Sequence, residues 1–222
     1  MKRPALFLFI FLLVCTGGKA EDLGRYFASK GLVDVSRMDT SIRVLLKYAT
    51  ADNLFNEAVY TGLKGGIWLH PDAASKLIKA QRLLKEKYPD YSLIVYDAAR
   101  PMSVQKKMWN LVKGTRKTNY VSNPAKGGGL HNYGMAVDVA IAGRDGKPLP
   151  MGSPFDHFGE EAHINNEEAL LQSGKISREA YGNRRLLRQI MSQAGFRTIL
   201  YEWWHFNACS REEAKKNYAL IE

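Results

Sequence analysis

Gly127-Gly128-Gly129-Leu130-His131-Asn132-Tyr133-Gly134-Met135-Ala136-Val137-Asp138 is the stretch on which the reading of this chain turns. The residues leading into it, Lys113 to Leu130, are polar and Gly-rich, which predicts a long loop that brings backbone close to a site. From Gly134 the pattern alternates. Met135, Val137, Val139 and Ile141 fall on one face and Ala136, Asp138 and Ala140 on the other, so a strand is expected with the Asp138 carboxylate turned away from the apolar face. Downstream lies a second stretch, Tyr201-Glu202-Trp203-Trp204-His205-Phe206. The two together offer a pair of imidazoles, a carboxylate near the first, and a spare Glu three residues before the second. His131, Asp138 and His205 make a three-ligand set for one Zn²⁺ that leaves a fourth, tetrahedral position for water. Glu202 is then the candidate base for that water.

Each residue also has a plainer reading. His131 and Asp138 are seven apart, a spacing equally met by a loop imidazole bonded to backbone and an ion-paired strand residue. Glu202 and His205, three apart, would face opposite ways on an ideal strand, so a shared ion requires a bend or a helix start between them. Arg100 follows an apolar run and precedes Pro101; it serves either as an ion pair with Asp97 or as a fixed guanidinium for oxyanion charge in acyl transfer. Cys209, four residues past His205, reads better as a small buried residue than as a ligand. No Gly-x-Ser-x-Gly elbow, P-loop or dinucleotide fingerprint is present, and Cys209 has no evident base.

The remaining pattern mixes helices and strands. Ser41 to Tyr48 reads as a strand, Tyr91 to Asp97 as a buried one, and Phe196 to Tyr201 as a third. Pro71 opens a helix whose apolar positions run from Ala73 to Tyr88, and Ser103 is expected to cap another carrying Val104, Met108, Trp109 and Val112. Asn183 is expected to cap a helix stopped by Gly195. Met151 to Asn166, with Asp156, His157 and His163, reads as loop.

Residues 1–20 have the layout of a secretory signal: Lys2 and Arg3, an apolar run from Ala5 to Val14, and a small-x-small Gly18-Lys19-Ala20. That run is short of the roughly 20 residues a membrane-spanning helix needs. Export, to a periplasm or beyond the cell, is preferred to lipid anchoring at Cys15, because Val14 stands where a lipidation box has a small residue. Residues 21–222 then form one domain. Loss of Lys2, Arg3 and Lys19 takes the net charge from +10 to about +7. The remaining cations are scattered along helices (Lys76, Lys79, Arg82, Lys85, Lys87) and no nucleic-acid motif appears, so nucleic acid is not the expected partner.

The motifs in order resemble a known family. His131-x-x-Gly134-x-Ala136-x-Asp138 with Glu202-x-Trp204-His205 is similar to the zinc D,D-peptidases of bacterial cell walls. Tyr48-Ala49-Thr50-x-Asp52-Asn53, Asp97-x-x-Arg100-Pro101, Met151-Gly152-Ser153-x-Phe155-Asp156 and Glu202-Trp203-Trp204-His205 resemble its D-alanyl-D-alanine dipeptidase branch, that of the vancomycin-resistance dipeptidase. The resemblance implies an α+β fold of the zinc D,D-peptidase, Hedgehog-like type, with helices packed on an antiparallel sheet that carries the metal. It implies one Zn²⁺ on His131, Asp138 and His205, Glu202 as base and proton carrier, and Arg100 at the oxyanion. Asp156 would hold the substrate ammonium and Tyr48 would border the pocket, with a small D,D-dipeptide as substrate. A carboxypeptidase or endopeptidase on longer peptidoglycan stems, or a non-catalytic zinc-containing wall-binding protein, are the alternatives. The chain departs from the family where Gly129 replaces a frequent Ser, where Asn132-Tyr133 replaces a small polar and basic pair, and where Ala98-Ala99 replaces a Gly-aromatic pair.

Overall fold

The computed structural model describes residues 22–222; the expected signal segment lies outside them. In chain order the helices are α1 (Leu23–Ser29), α2 (Val35–Met38), α3 (Pro71–Lys87), α4 (Met102–Val112), α5 (Glu167–Gln172), α6 (Arg178–Gln193) and α7 (Arg211–Asn217). The strands are β1 (Val33–Asp34), β2 (Arg43–Val44), β3 (Trp68–Leu69), β4 (Ser92–Asp97), β5 (Ala136–Ala142), β6 (Arg197–Thr198) and β7 (His205–Asn207). β1 and β3 form a small antiparallel pair, and the others form a five-stranded sheet in the order β2-β4-β5-β7-β6. The architecture is mixed α+β. None of the helices among the described residues is long and apolar enough to cross a membrane.

The sheet is antiparallel through β4, β5, β7 and β6, but β2 joins the edge parallel to β4. The strands that carry Asp138 and His205 are thus antiparallel, as expected, and the parallel edge strand β2 is an addition to that expectation. The strand expected from Ser41 to Tyr48 shortens to two residues, because the chain breaks into a 3₁₀ turn at Lys47–Ala49 that carries Tyr48. α3 starts as the sequence reads: Pro71 stands where no N–H is needed, and the His70 imidazole accepts from Asp72 N. Two other helix starts move. Pro101, not Ser103, precedes α4, and α6 begins at Arg178, where the Ser177 hydroxyl accepts from Ala180 N. Asn183 lies inside α6 and donates to Pro150 O instead.

β4 and β5 are buried along their whole length. α3 packs on β4 and α6 on β5, while Phe155 closes from a loop against the rings of Tyr96 and Trp204. Asp138, turned from the apolar face as the alternation reads, is buried and lines a cleft. Between Val95 and Asp97 the β4–β5 register shifts, bringing Asp97 opposite Asp138. Such a bulge re-aims a side chain at the end of a strand. Two carboxylates standing opposite each other repel unless cations lie between them, and the cations that gather here build the site.

Candidate metal centre

His131 is delivered by a 3₁₀ turn, Leu130–Tyr133, wedged between the glycine-rich loop and β5. The turn ends at Gly134, whose φ of +64° is left-handed and whose missing Cβ would stand 2.9 Å from His70 N. Any other residue there meets both strain and a clash. Asp138 comes from the middle of β5, and His205 opens β7 directly opposite it. Glu202 precedes a turn through Trp203 and Trp204 in which His205 N approaches Glu202 O at 3.4 Å. This is the bend that the three-residue spacing demands.

The three proposed ligands meet. Asp138 Oδ1 is 3.0 Å from His205 Nδ1 and 3.4 Å from His131 Nε2, and the two imidazole nitrogens are 3.2 Å apart. One donor atom from each lies within 4.8 Å of the others. The outward nitrogens are tied back: His131 Nδ1 donates to Ala98 O at 2.7 Å, and His205 Nε2 donates to Asn207 Oδ1 at 2.8 Å. Those bonds fix the two ring orientations so that His131 Nε2 and His205 Nδ1 both face Asp138, the outer-sphere support that metal-binding histidines have. Two imidazole nitrogens and a carboxylate oxygen, buried and aimed at one point, fit a divalent cation of the zinc type.

The same crowding moves the titrations. Burial pushes the Asp138 carboxyl up, but the charges and hydrogen bonds of His131 and His205 outweigh it and hold it well below the usual carboxylate range. His205 is opposed by burial yet raised to about 9, chiefly through its hydrogen bond to Asp138. Glu202, whose carboxylate lies 4.0 Å from His205 Nδ1, is raised by burial to about 7. Asp156 is raised to about 7 by burial as well, against the hydrogen bonds it accepts from Tyr48 OH at 2.7 Å and Leu54 N at 3.1 Å. Asp156 also sits at a φ of +60°, a left-handed conformation uncommon outside glycine and often held at functional positions.

Arg100 makes the ion pair with Asp97 that one of its sequence readings expects. Its Nε and Nη2 donate to Asp97 Oδ2 at 3.1 and 2.5 Å and its Nη1 to Gln105 Oε1 at 3.0 Å, while the guanidinium carbon lies 5.2 Å from the centroid of the Tyr48 ring. Burial opposes the charge, but Asp97 outweighs it and keeps the guanidinium protonated. Arg100, Tyr48, Asp156, Glu202, His131, Asp138 and His205 all line one cleft. Cys209 lies elsewhere, beside Lys76, Met135 and Glu213, and His157 pairs with Glu161.

Several residues of this site have no role in the sequence reading. Asn207 is within its reach, since two residues beyond His205 on a strand is the same face. Asn132, fully buried, accepts from Gly129 N and donates to Arg100 O, both at 2.8 Å, and so ties the His131 turn to the arginine. Tyr60 donates to Asp97 Oδ1 at 2.7 Å across the fold, and nothing local announces it.

The sequence pattern of the peptidase M15 family, described as D-ala-D-ala dipeptidase, matches residues 28–220. The chain belongs to this family. A D-alanyl-D-alanine dipeptidase of Escherichia coli (strain K12) is 32% identical over 175 residues, covering 79% of this chain and 83% of the relative. The D-alanyl-D-alanine dipeptidase of Enterococcus faecium is 30% identical over 179 residues, 72% of this chain and 82% of its own. That of Enterococcus faecalis (strain ATCC 700802 / V583) is 26% identical over 200 residues, 79% and 90% respectively. Within the family, the motif order read from the sequence and the cluster built by the fold fall on the same residues.

Proposed function

We propose that this chain is an exported zinc dipeptidase that hydrolyses D-Ala-D-Ala, with residues 1–20 as its cleaved signal and 21–222 as one catalytic domain. The observation that carries the reading is the convergence of His131, Asp138 and His205 beside the Glu202 carboxylate in one cleft. His131 Nε2, Asp138 and His205 Nδ1 would hold the ion. Zn²⁺ bound there supplies Lewis-acid polarisation of the scissile carbonyl and makes water a nucleophile near neutral pH.

The chain's own groups do the rest. Glu202, whose carboxylate lies 4.0 Å from the proposed ligand atom His205 Nδ1, takes a proton from the attacking water and hands it to the leaving nitrogen. The Arg100 guanidinium, fixed by Asp97 and Gln105, faces the charge that develops on the carbonyl oxygen. Asp156 receives the free ammonium of the dipeptide, with Tyr48 orienting its carboxylate. An anionic partner for a free amine favours a dipeptide over a longer stem, whose corresponding nitrogen is an uncharged amide.

The test compares D-Ala-D-Ala with N-acetyl-D-Ala-D-Ala on protein of measured zinc content. Zinc at one per chain and cleavage of the free dipeptide alone is the expected result. Cleavage of the acetylated substrate at an equal rate replaces the dipeptidase reading with a carboxypeptidase one. Binding without cleavage of either replaces it with a wall-binding protein.

A further inference from the structure

The proposed chemistry engages the ammonium, the scissile carbonyl and the leaving nitrogen of a dipeptide, and leaves its carboxylate without a partner. The cleft that must hold it is small, about 250 Å³. Three of its lining acids, Asp138, Asp156 and Glu202, repel an anionic end. Two guanidiniums line it. Arg100 is already paired with Asp97, and its charge is balanced within the protein.

Arg211, the first residue of α7, is placed differently. Its Nη2 donates to Lys126 O at 2.9 Å and Gly128 O at 2.8 Å, which pins it to the loop that leads into His131. Among the described residues it pairs with no carboxylate, and its Nη1 and Nε donate to no acceptor. A full positive charge is thus held at the cleft wall with hydrogen-bond donors to spare. Next to its anchor stands Gly129, whose φ of −115° any residue adopts, so the backbone does not require glycine there. The lack of a side chain instead leaves space: a Cβ at 129 would stand 2.8 Å from Ser122 Oγ. Ser122 lines the same cleft.

We propose that Arg211 is a specificity-determining residue that receives the C-terminal carboxylate of the substrate, with the Ser122 hydroxyl as a second donor admitted by Gly129. The assignment rests on the dipeptidase reading and deepens it: the cleft would then recognise both charged ends of a free dipeptide, Asp156 at one and Arg211 at the other. Arginine suits this task because its planar fork meets a carboxylate with two parallel donors.

The experiment measures kcat/KM for D-Ala-D-Ala and for D-Ala-D-alaninamide, which lacks the carboxylate, in the wild type, Arg211→Met, Arg211→Lys and Ser122→Ala. The ratio of the two substrates is internal to each protein, so a partly folded preparation does not distort it. The wild type prefers the carboxylate substrate. Arg211→Met lowers that preference about 10- to 100-fold, mainly through KM, the range of one charge-assisted contact. Arg211→Lys retains an intermediate preference, and Ser122→Ala loses a few-fold. A preference unchanged in Arg211→Met overturns the assignment, even if activity falls because the 126–128 loop loosens. Absence of any preference in the wild type overturns it as well. If the wild type cleaves neither compound, the dipeptidase reading itself has failed, which the other outcomes leave standing.

Discussion

Asp156 is a carboxyl that the fold holds at a cost, and that cost can be measured. Burial raises it from its ordinary value of 3.8 to about 7. For an acid, a raised value in the folded state means that ionisation is disfavoured there, so the contribution to stability is least unfavourable below 3.8. It worsens as pH rises toward 7 and stays constant above. A tenfold change in acidity between the unfolded and folded chain is worth about 1.4 kcal/mol, so the full penalty would be about 4 kcal/mol; because Asp156 borders a solvent-filled cleft, screening trims this to about 2 kcal/mol. Asp156→Asn removes the titration. It keeps an amide oxygen for Leu54 N, while Tyr48 OH can turn to accept from the amide nitrogen. Urea unfolding of metal-free wild type and Asp156→Asn at pH 5 and pH 8 isolates the effect, because other titrating groups are common to both proteins. The stability difference between them moves by about 1 kcal/mol in favour of the variant on going to pH 8, the rest of the penalty being already present at pH 5. The same variant raises KM for D-Ala-D-Ala, since the unfavourably ionised carboxylate is what the substrate ammonium relieves. A stability difference that does not change with pH refutes the reasoning.

Three further outcomes follow from the site. Glu202→Ala retains zinc and loses about 10²- to 10⁴-fold in kcat, the range of a general base; metal analysis beside a turnover assay checks it, and near-full turnover removes Glu202 as the proton carrier. His205→Ala loses both metal and activity, and dialysis against excess Zn²⁺ does not restore them to wild-type level. Tyr60→Phe removes the donor to buried Asp97 and destabilises the protein by about 1.5 to 3 kcal/mol, a fall of several degrees in Tm at this chain length, followed by calorimetry. A Tyr60→Phe protein that melts with the wild type would show that Asp97 finds another donor.

What is legible in the sequence is what is local. β5 shows because seven alternating residues keep one period, and α3 because Pro71 and its apolar positions agree. The proposed ligand set is readable because His131, Asp138 and His205 each sit beside a strong local signal: a glycine loop, an alternating strand, a tryptophan pair. Other features depend on distant partners. β2 shrinks to two residues because the ladder with β4 pairs Arg43 and Val44 and ends with the Leu45 N bond to Val95 O, which no local propensity encodes. α6 starts ahead of the expected Asn183 cap: the Ser177 hydroxyl accepts from Ala180 N, and the Asn183 amide is taken by the distant Pro150 carbonyl. Alternation along β5 turns Asp138 away from the apolar face, and there it lines the cleft, but the loop bearing Phe155 that packs on Tyr96 and Trp204 is not announced by that alternation. The supporting roles of Asn132 and Tyr60 are non-local in the same way.

These non-local bonds explain how a guanidinium and a proposed metal ligand can be kept in fixed relation. Arg100 N donates to His131 O at 2.9 Å, Asn132 returns its side-chain amide to Arg100 O, and Asn132 O accepts from Ile221 N near the end of the chain. Asp97 joins the arginine to the imidazole, since its Oδ2 accepts from Arg100 and lies 3.7 Å from His131 Nδ1. The bulge that places Asp97 opposite Asp138 thus does two things at once. It creates a repulsion that only cations relieve, and it sets the carboxylate that holds Arg100 close beside the His131 ring. Held from both sides, Arg100 has little freedom to follow a substrate, so the oxyanion stabilisation proposed for it would require almost no rearrangement. The same rigidity means that a change at Asp97 should disturb Arg100 and His131 together rather than either alone.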